Sequence, residues 1–245
     1  MRPSGHSESV EMYLKTLAVL GGRDQAMPVA VVAERLGVTP VAANEMLRRL
    51  ITLDLVMHEP RRGFRLTEAG RDAAWDVIRR ERVWERFLVD RLELDPARAR
   101  GWACLLEHAT APEVLDALDT FLGLPETCPQ GQPIPRSPDD PVCWGARPLA
   151  DVELGESVRL IAFDDEDPEV LTYLHRVGLR VGSIVRVTDV GPRRSVISLD
   201  GPGGAVVVGR DVAATIETVA ATTPSSGDEL AARPEAPGVT TRPRP

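Results

Sequence analysis

The chain has 245 residues, 43% of them hydrophobic and 27% charged, and a net charge of −8. That composition suits a globular protein large enough for two or three small domains. Three cysteines, at 104, 128 and 143, fit neither a disulfide framework nor a zinc spacing. No run of about eighteen apolar residues could cross a membrane, and the N-terminus lacks the apolar segment of a signal peptide, so the expected location is the cytoplasm and no membrane partner is expected. The net charge taken alone argues against nucleic acid. It is unevenly spread, however: up to residue 72 ten bases face nine acids, and beyond it nineteen bases face twenty-eight acids. A DNA-binding head on an acidic protein remains open.

From Val10 to Leu20 an apolar stripe predicts a helix, ended by Gly21-Gly22. A second, short helix runs from Pro28 to Leu36 and stops at Gly37. Thr39 is placed as N-cap and Pro40 as first helical residue of a third helix, reaching Leu53. Short helix, tight turn and longer helix make a helix-turn-helix. Leu55–Glu59 and Phe64–Thr67 then read as strands around the turn Pro60-Arg61-Arg62-Gly63. The whole is a winged helix, taken to occupy residues 1–74. Arg61 and Arg62 are either ordinary solvated charge or phosphate contacts; the wing setting favours phosphate. On the third helix Thr39, Val41, Ala42, Ala43, Asn44 and Glu45 are read as facing DNA, with Leu47 and Leu50 in the core. Asn44 would read a base edge, Glu45 would accept from cytosine N4, and small Ala42 and Ala43 would admit thymine methyls.

Thr67-Glu68-Ala69-Gly70 opens a long helix running to about Leu92. Asp95-Pro96 caps the next, which ends near Ala109, and Pro112 starts a further one. Over 75–125 these helices carry more apolar surface than a small bundle buries, which predicts a homodimer interface. Residues 126–149, rich in proline and glycine, read as a linker. Beyond them the periodicity turns to strands: Ser157–Phe163, Ser183–Val190, Arg194–Leu199, Ala205–Val208 and Ala214–Val219, with a short helix after Asp167-Pro168. This predicts a small β-barrel of SH3-like proportions over 150–220. Residues 221–245 read as a disordered tail. The expected fold class is multidomain, mainly α with β.

In Gly101–Ala109, Cys104, Glu107 and His108 stand at i, i+3 and i+4, on one face of a helix. A thiolate, a carboxylate and an imidazole there suit a divalent transition metal but leave coordination positions open. On this spacing alone the favoured reading is Cys104 as a small buried hydrophobe with Glu107 and His108 solvated.

Five strings resemble, in order and spacing, the iron-dependent repressors of the diphtheria toxin repressor family. They are Glu11-Met12-Tyr13-Leu14, Leu66-Thr67-Glu68-Ala69-Gly70, Glu85-Arg86-Phe87-Leu88, Cys104-Leu-Leu-Glu107-His108 and Cys128-Pro-Gln-Gly-Gln-Pro-Ile-Pro135. The likeness covers roughly residues 8–220. It implies a winged helix, a helical dimerisation domain and an SH3-like (FeoA-like) third domain, with ferrous iron or manganese as co-repressor. It also implies a primary metal site of Met12, Cys104, Glu107 and His108. Soft thioether and thiolate donors favour iron over manganese within this pattern. The family's second, ancillary site falls on Glu81, Glu85 and Arg100, where a cation replaces a ligand. Arg100 is read as pairing with both carboxylates in place of a metal; the alternative is that all three are solvated and unrelated. The acids from Asp164 to Glu169 read as a solvated loop.

Three functions compete. The first is a metal-activated homodimeric repressor of metal-homeostasis genes, binding a palindromic operator on double-stranded DNA. The second is a metal-independent DNA-binding relative. The third, a thiol enzyme using Cys104 and His108, is disfavoured because no oxyanion-forming loop is evident. The expectation is therefore no enzyme and no small organic substrate.

Overall fold

The computed structural model describes residues 6–21, 25–137, 139–164 and 167–221. The expected tail, apart from Ala221, lies outside them. The first part holds helices α1 (Glu8–Gly21), α2 (Val29–Leu36) and α3 (Pro40–Thr52), then strands β1 (Val56–Glu59) and β2 (Gly63–Leu66). Val10, Leu14 and Leu17 of α1 and Leu47 and Leu50 of α3 recur at helical spacing and bury one common core with Val32 and Phe64. Gly37 ends α2 in the left-handed conformation at φ 64°. Thr39 Oγ1 then accepts the Ala42 N–H at 3.2 Å, a cap worth about 1 kcal/mol. The two strands form an antiparallel wing, Val56 opposite Leu66 and Glu59 opposite Gly63. Gly63, at φ 118°, lets the wing meet the chain before α2: a Cβ there would lie 2.1 Å from the Met27 carbonyl oxygen.

Helix α4 (Glu68–Asp90) is followed by α5 (Pro96–Glu107) and α6 (Pro112–Phe121). Thr67 caps α4 by accepting the Gly70 N–H at 3.0 Å. Asp95 caps α5 by accepting from Ala97 at 3.0 Å and Arg98 at 3.3 Å. Helix α4 packs on α1, α5 and α6, joining the winged helix to the helical domain. Leu92, Trp102, Leu105, Phe121 and Leu124 remain exposed, the apolar surplus the sequence suggested.

The expectation of a linker over 126–149 requires correction. The stretch is bound to all three parts of the molecule. Ile134 joins a small core with Val83 and Leu115, Val142 enters the winged-helix core, and Leu149 enters that of the third domain. Trp75 Nε1 donates to the Asp140 carbonyl at 2.8 Å. Gly131, at φ 83°, lies where a Cβ would be 2.0 Å from the Ile161 carbonyl oxygen. Proline and glycine here serve close packing rather than slack.

The third domain is a six-stranded antiparallel sheet in the order β3-β8-β4-β5-β6-β7. Its strands are β3 (Arg147–Pro148), β4 (Ser157–Phe163), β5 (Ile184–Val190), β6 (Val196–Gly201), β7 (Gly204–Gly209) and β8 (Ile216–Ala220). Helix α7 (Pro168–Arg176) lies between β4 and β5, and α8 (Arg210–Ala214) precedes β8. The domain thus begins at Arg147, and α8 replaces the start of the last expected strand. Leu171 and Leu174 of α7 share a core with Ala97 of α5, which seats the sheet domain on the helical one. Arg35 of α2 reaches Asp164 at 3.5 Å; Asp165 and Glu166 of the acid run lie outside the described residues.

Candidate metal centre

Helix α5 ends at Glu107, with His108 as its C-cap still in helical conformation. The i, i+3, i+4 spacing therefore survives, and the donor atoms of Cys104, Glu107 and His108 lie within 4.8 Å of one another. Glu107 is fully buried, and neither of its oxygens has a hydrogen-bond partner among the described residues. Burial, the leading cause, raises its pKa well above the ordinary carboxylate value; nearby Lys15 opposes this and Glu81 reinforces it. A buried acceptor left open is costly, which makes Glu107 suited to take a cation beside Cys104 and His108.

His108 is aimed by a neighbour. Its Nδ1 hydrogen-bonds Glu11 Oε2, and a carboxylate can only accept, so Nδ1 carries the proton. Nε2, which has no hydrogen-bond partner among the described residues, keeps its lone pair on the side of Cys104 and Glu107. Glu11 is held in turn by the buried guanidinium of Arg80, 2.8 Å from Oε1. Met12, on the same helix as Glu11, lines with Cys104, Lys15, Arg100, Trp102 and Leu105 a cavity of about 490 Å³ that opens beside the donors. Soft sulfur, imidazole and carboxylate donors with orphaned acceptors fit a divalent transition metal.

The second cluster differs from its expectation. Glu81 and Glu85 are buried, not solvated. Arg100 faces Glu85, its Nε 3.9 Å from Oε1. Glu81 is paired instead by Lys15 of α1, whose Nζ lies 2.6 Å from Glu81 Oε1 and 4.0 Å from Glu107 Oε1. Burial pulls the Lys15 pKa down, but Glu81 and Glu107 outweigh it and the net shift is upward. Burial likewise raises Glu81, and Lys15 with Arg100 overcomes it, leaving Glu81 below its ordinary value. For Glu85 burial prevails over Arg100 and the net shift is upward.

The DNA-facing set also needs correction. Ala43 is fully buried and belongs to the core with Leu47 and Leu50, four and seven residues on, so it faces away from any groove. Asn44 is half-buried, whereas Thr39, Val41, Ala42 and Glu45 are exposed, as are Arg61 and Arg62 on the wing. Sequence reading missed Arg48 and Arg49, exposed on the same helix. It missed Glu11 and Lys15 as well. Charges at i and i+4 inside the apolar stripe of α1 were the available signal.

Fold and site define a winged-helix DNA-binding protein with a metal-donor cluster in its dimerisation domain. Three family descriptions match in that order: the iron dependent repressor N-terminal DNA binding domain over 6–64, the iron dependent repressor metal binding and dimerisation domain over 67–136, and the FeoA domain over 147–219. The chain is 31% identical over 195 residues to the diphtheria toxin repressor of Corynebacterium efficiens, covering 74% of this chain and 83% of that one. It is 31% identical over 206 residues to the iron-dependent repressor IdeR of Mycobacterium tuberculosis, covering 82% and 88%. A manganese-dependent transcriptional repressor in complex with manganese superposes with a TM-score of 0.78 at 30% identity, covering 86% of this chain and 99% of that structure. The regulator ScaR with bound zinc gives 0.76 at 27%, covering 86% and 99%. The chain belongs to the iron-dependent repressor family.

Proposed function

We propose that the chain is a divalent-metal-activated transcriptional repressor, with Met12, Cys104, Glu107 and His108 as the metal ligands and ferrous iron as the preferred ion. The supporting observation is the set of open acceptors on Glu107 and His108 beside Cys104, facing the helix that carries Met12. Thioether and thiolate donors favour iron over manganese. Bound there, the ion supplies positive charge shared between α1 and α5. Helix α1 packs directly on α2 and α3, so holding α1 on the helical domain fixes where α3 points. The exposed apolar residues of α5 and α6 join two subunits, which sets the spacing between two copies of α3. Those copies would enter major grooves about 34–36 Å apart or a multiple of it, on a palindromic operator. Thr39, Val41, Ala42, Asn44, Glu45, Arg48 and Arg49 face the groove, and Arg61 and Arg62 meet phosphate. A sensor of this kind regulates metal-homeostasis genes from the cytoplasm.

The test is binding to DNA upstream of its own gene, followed by fluorescence anisotropy with ferrous ion under anaerobic conditions, with manganese, and with a chelator. Binding should need metal and respond to lower ferrous than manganese concentrations. Arg61→Ala or Arg62→Ala should weaken all sequences alike and flatten the salt slope by about one unit per lost phosphate contact. Full-affinity binding in chelator would favour the metal-independent alternative.

A further inference from the structure

Three carboxylates, Glu81, Glu85 and Glu107, are buried where α1, α4 and α5 meet. Buried charge persists only when compensated. Glu81 and Glu85 have a cation each: the Lys15 ammonium at 2.6 Å and the Arg100 guanidinium at 3.9 Å. Lys15, Arg82 and Arg100 line this space with Glu81, Glu85 and Asp164, so three positive and three negative groups balance with nothing added, and a dication among them would leave an excess of two positive charges in a largely buried place. There is also little room for the waters that would complete an ion's coordination: the gap bounded by Lys15, Glu81, Arg82, Glu85, Arg100 and Cys128 holds about 10 Å³, about what one water needs. Cys128 beside Glu85 remains a thiol, its pKa pushed up to about 12 by burial first and by Glu85 second. The residues at this position do not fit the second metal that the family resemblance implies.

We propose that Lys15 and Arg100 replace a metal ion here, that Lys15 pins α1 to α4 whether or not metal is bound, and that Met12, Cys104, Glu107 and His108 form the single metal centre of each subunit. The inference rests on the reading of those four residues as the metal centre. Its consequence is regulatory. The Lys15–Glu81 pair joins the Arg80–Glu11 pair as a tie between α1 and α4 that needs no metal, so occupancy of one site switches the protein. Because Lys15 also stands 4.0 Å from Glu107, the ammonium is the nearest fixed cation to the open carboxylate in the metal-free state.

The experiment counts cobaltous ions per subunit in the full-length protein by native mass spectrometry. Wild type should bind one, lost on Cys104→Ala and kept on Glu81→Gln. Lys15→Met/Arg100→His, folded by circular dichroism, should bind two. A count of two in wild type, one lost on Cys104→Ala and one on Glu81→Gln, would overturn the inference and leave the metal centre standing. A count of one that survives Cys104→Ala but is lost on Glu81→Gln would overturn the metal-centre reading itself. A count still at one in the folded Lys15→Met/Arg100→His protein would show that these cations are not what excludes the second ion. Amide exchange in chelator reads the tie independently. In Lys15→Met/Glu81→Gln, which leaves neither member of the pair charged, α1 should exchange at least about tenfold faster than in wild type, about 1.4 kcal/mol. Unchanged protection of α1 would overturn the pinning role.

Discussion

Glu81 and Glu107 are both buried carboxylates near Lys15, on adjacent helices, and they are treated in opposite ways. Glu81 has an ammonium at 2.6 Å and a pKa held below the ordinary value. Glu107 has the same ammonium at 4.0 Å, no hydrogen-bond partner among the described residues and a pKa well above the ordinary value. The same side chain at similar burial thus serves as a brace in one place and as an open acceptor in the other. The distance to a fixed cation separates the roles. A satisfied buried ion pair holds structure together, and an unsatisfied buried carboxylate spends folding stability to stay ready for a ligand.

The largest effect should come from breaking the brace. Lys15→Met leaves Glu81 buried and unpaired, a change expected to cost roughly 3–5 kcal/mol, read from urea unfolding in chelator. Glu107→Gln, in the open cluster, removes a charge that nothing compensates well, so metal-free stability should stay level or rise, while metal binding is lost. Equal destabilisation by both substitutions would erase the distinction between the clusters.

Glu11 is the member that serves both sides. It aims His108 and pairs with buried Arg80. Glu11→Gln should weaken metal affinity roughly 10–100-fold, as for other groups that orient a ligating histidine, and should also lower metal-free stability by leaving Arg80 without its carboxylate. Competition titration against a chromogenic chelator measures the first effect and urea unfolding the second. Loss of stability with unchanged affinity would make Glu11 a brace only.

Much of this was legible in the sequence because local chemistry fixed it. Thr39, Thr67 and Asp95 cap the helices they were placed before, and the spacing of Cys104, Glu107 and His108 put three donors on one face. What was not legible depended on contacts between distant segments. Lys15 and Glu81 are 66 residues apart, and nothing in either local string says that they meet. Arg100 falls on a ligand position of the family's ancillary site, which suggests that it pairs with both carboxylates, whereas tertiary structure gives Glu81 to Lys15 and leaves Arg100 beside Glu85. Ala43 differs for a local reason: its size suits a groove, but its spacing of four and seven residues from Leu47 and Leu50 places it in the core. Residues 126–149 looked like a linker because glycine and proline mark slack and close backbone approach alike. Tertiary contacts such as the Ile161 carbonyl beside Gly131 separate the two.

The smallest effect sharpens the contrast by sign. In the metal-free protein, Glu81 has its folded pKa lowered from 4.5. Its pairing therefore stabilises the fold fully above the unfolded value, and that contribution is lost as pH falls through the lowered folded value. Glu107 has its folded pKa raised well above 4.5. Between 4.5 and that raised value the folded state holds a proton that the unfolded state has released, so stability falls as pH rises through this window. The two carboxylates thus pull the stability curve in opposite directions over different ranges. Urea unfolding in chelator, followed across pH for wild type, Glu107→Gln and Lys15→Met/Glu81→Gln, isolates each contribution as a difference curve. Removing Glu107 should abolish a decline on the alkaline side of 4.5, and removing the pair should abolish a decline on the acid side. Metal binding should reverse the first, because an ion that takes Glu107 as carboxylate releases its proton and binds more tightly as pH rises. A Glu107 difference curve that is flat above 4.5, or that slopes upward, would show that this carboxylate is compensated in the fold and would remove the distinction between the two clusters.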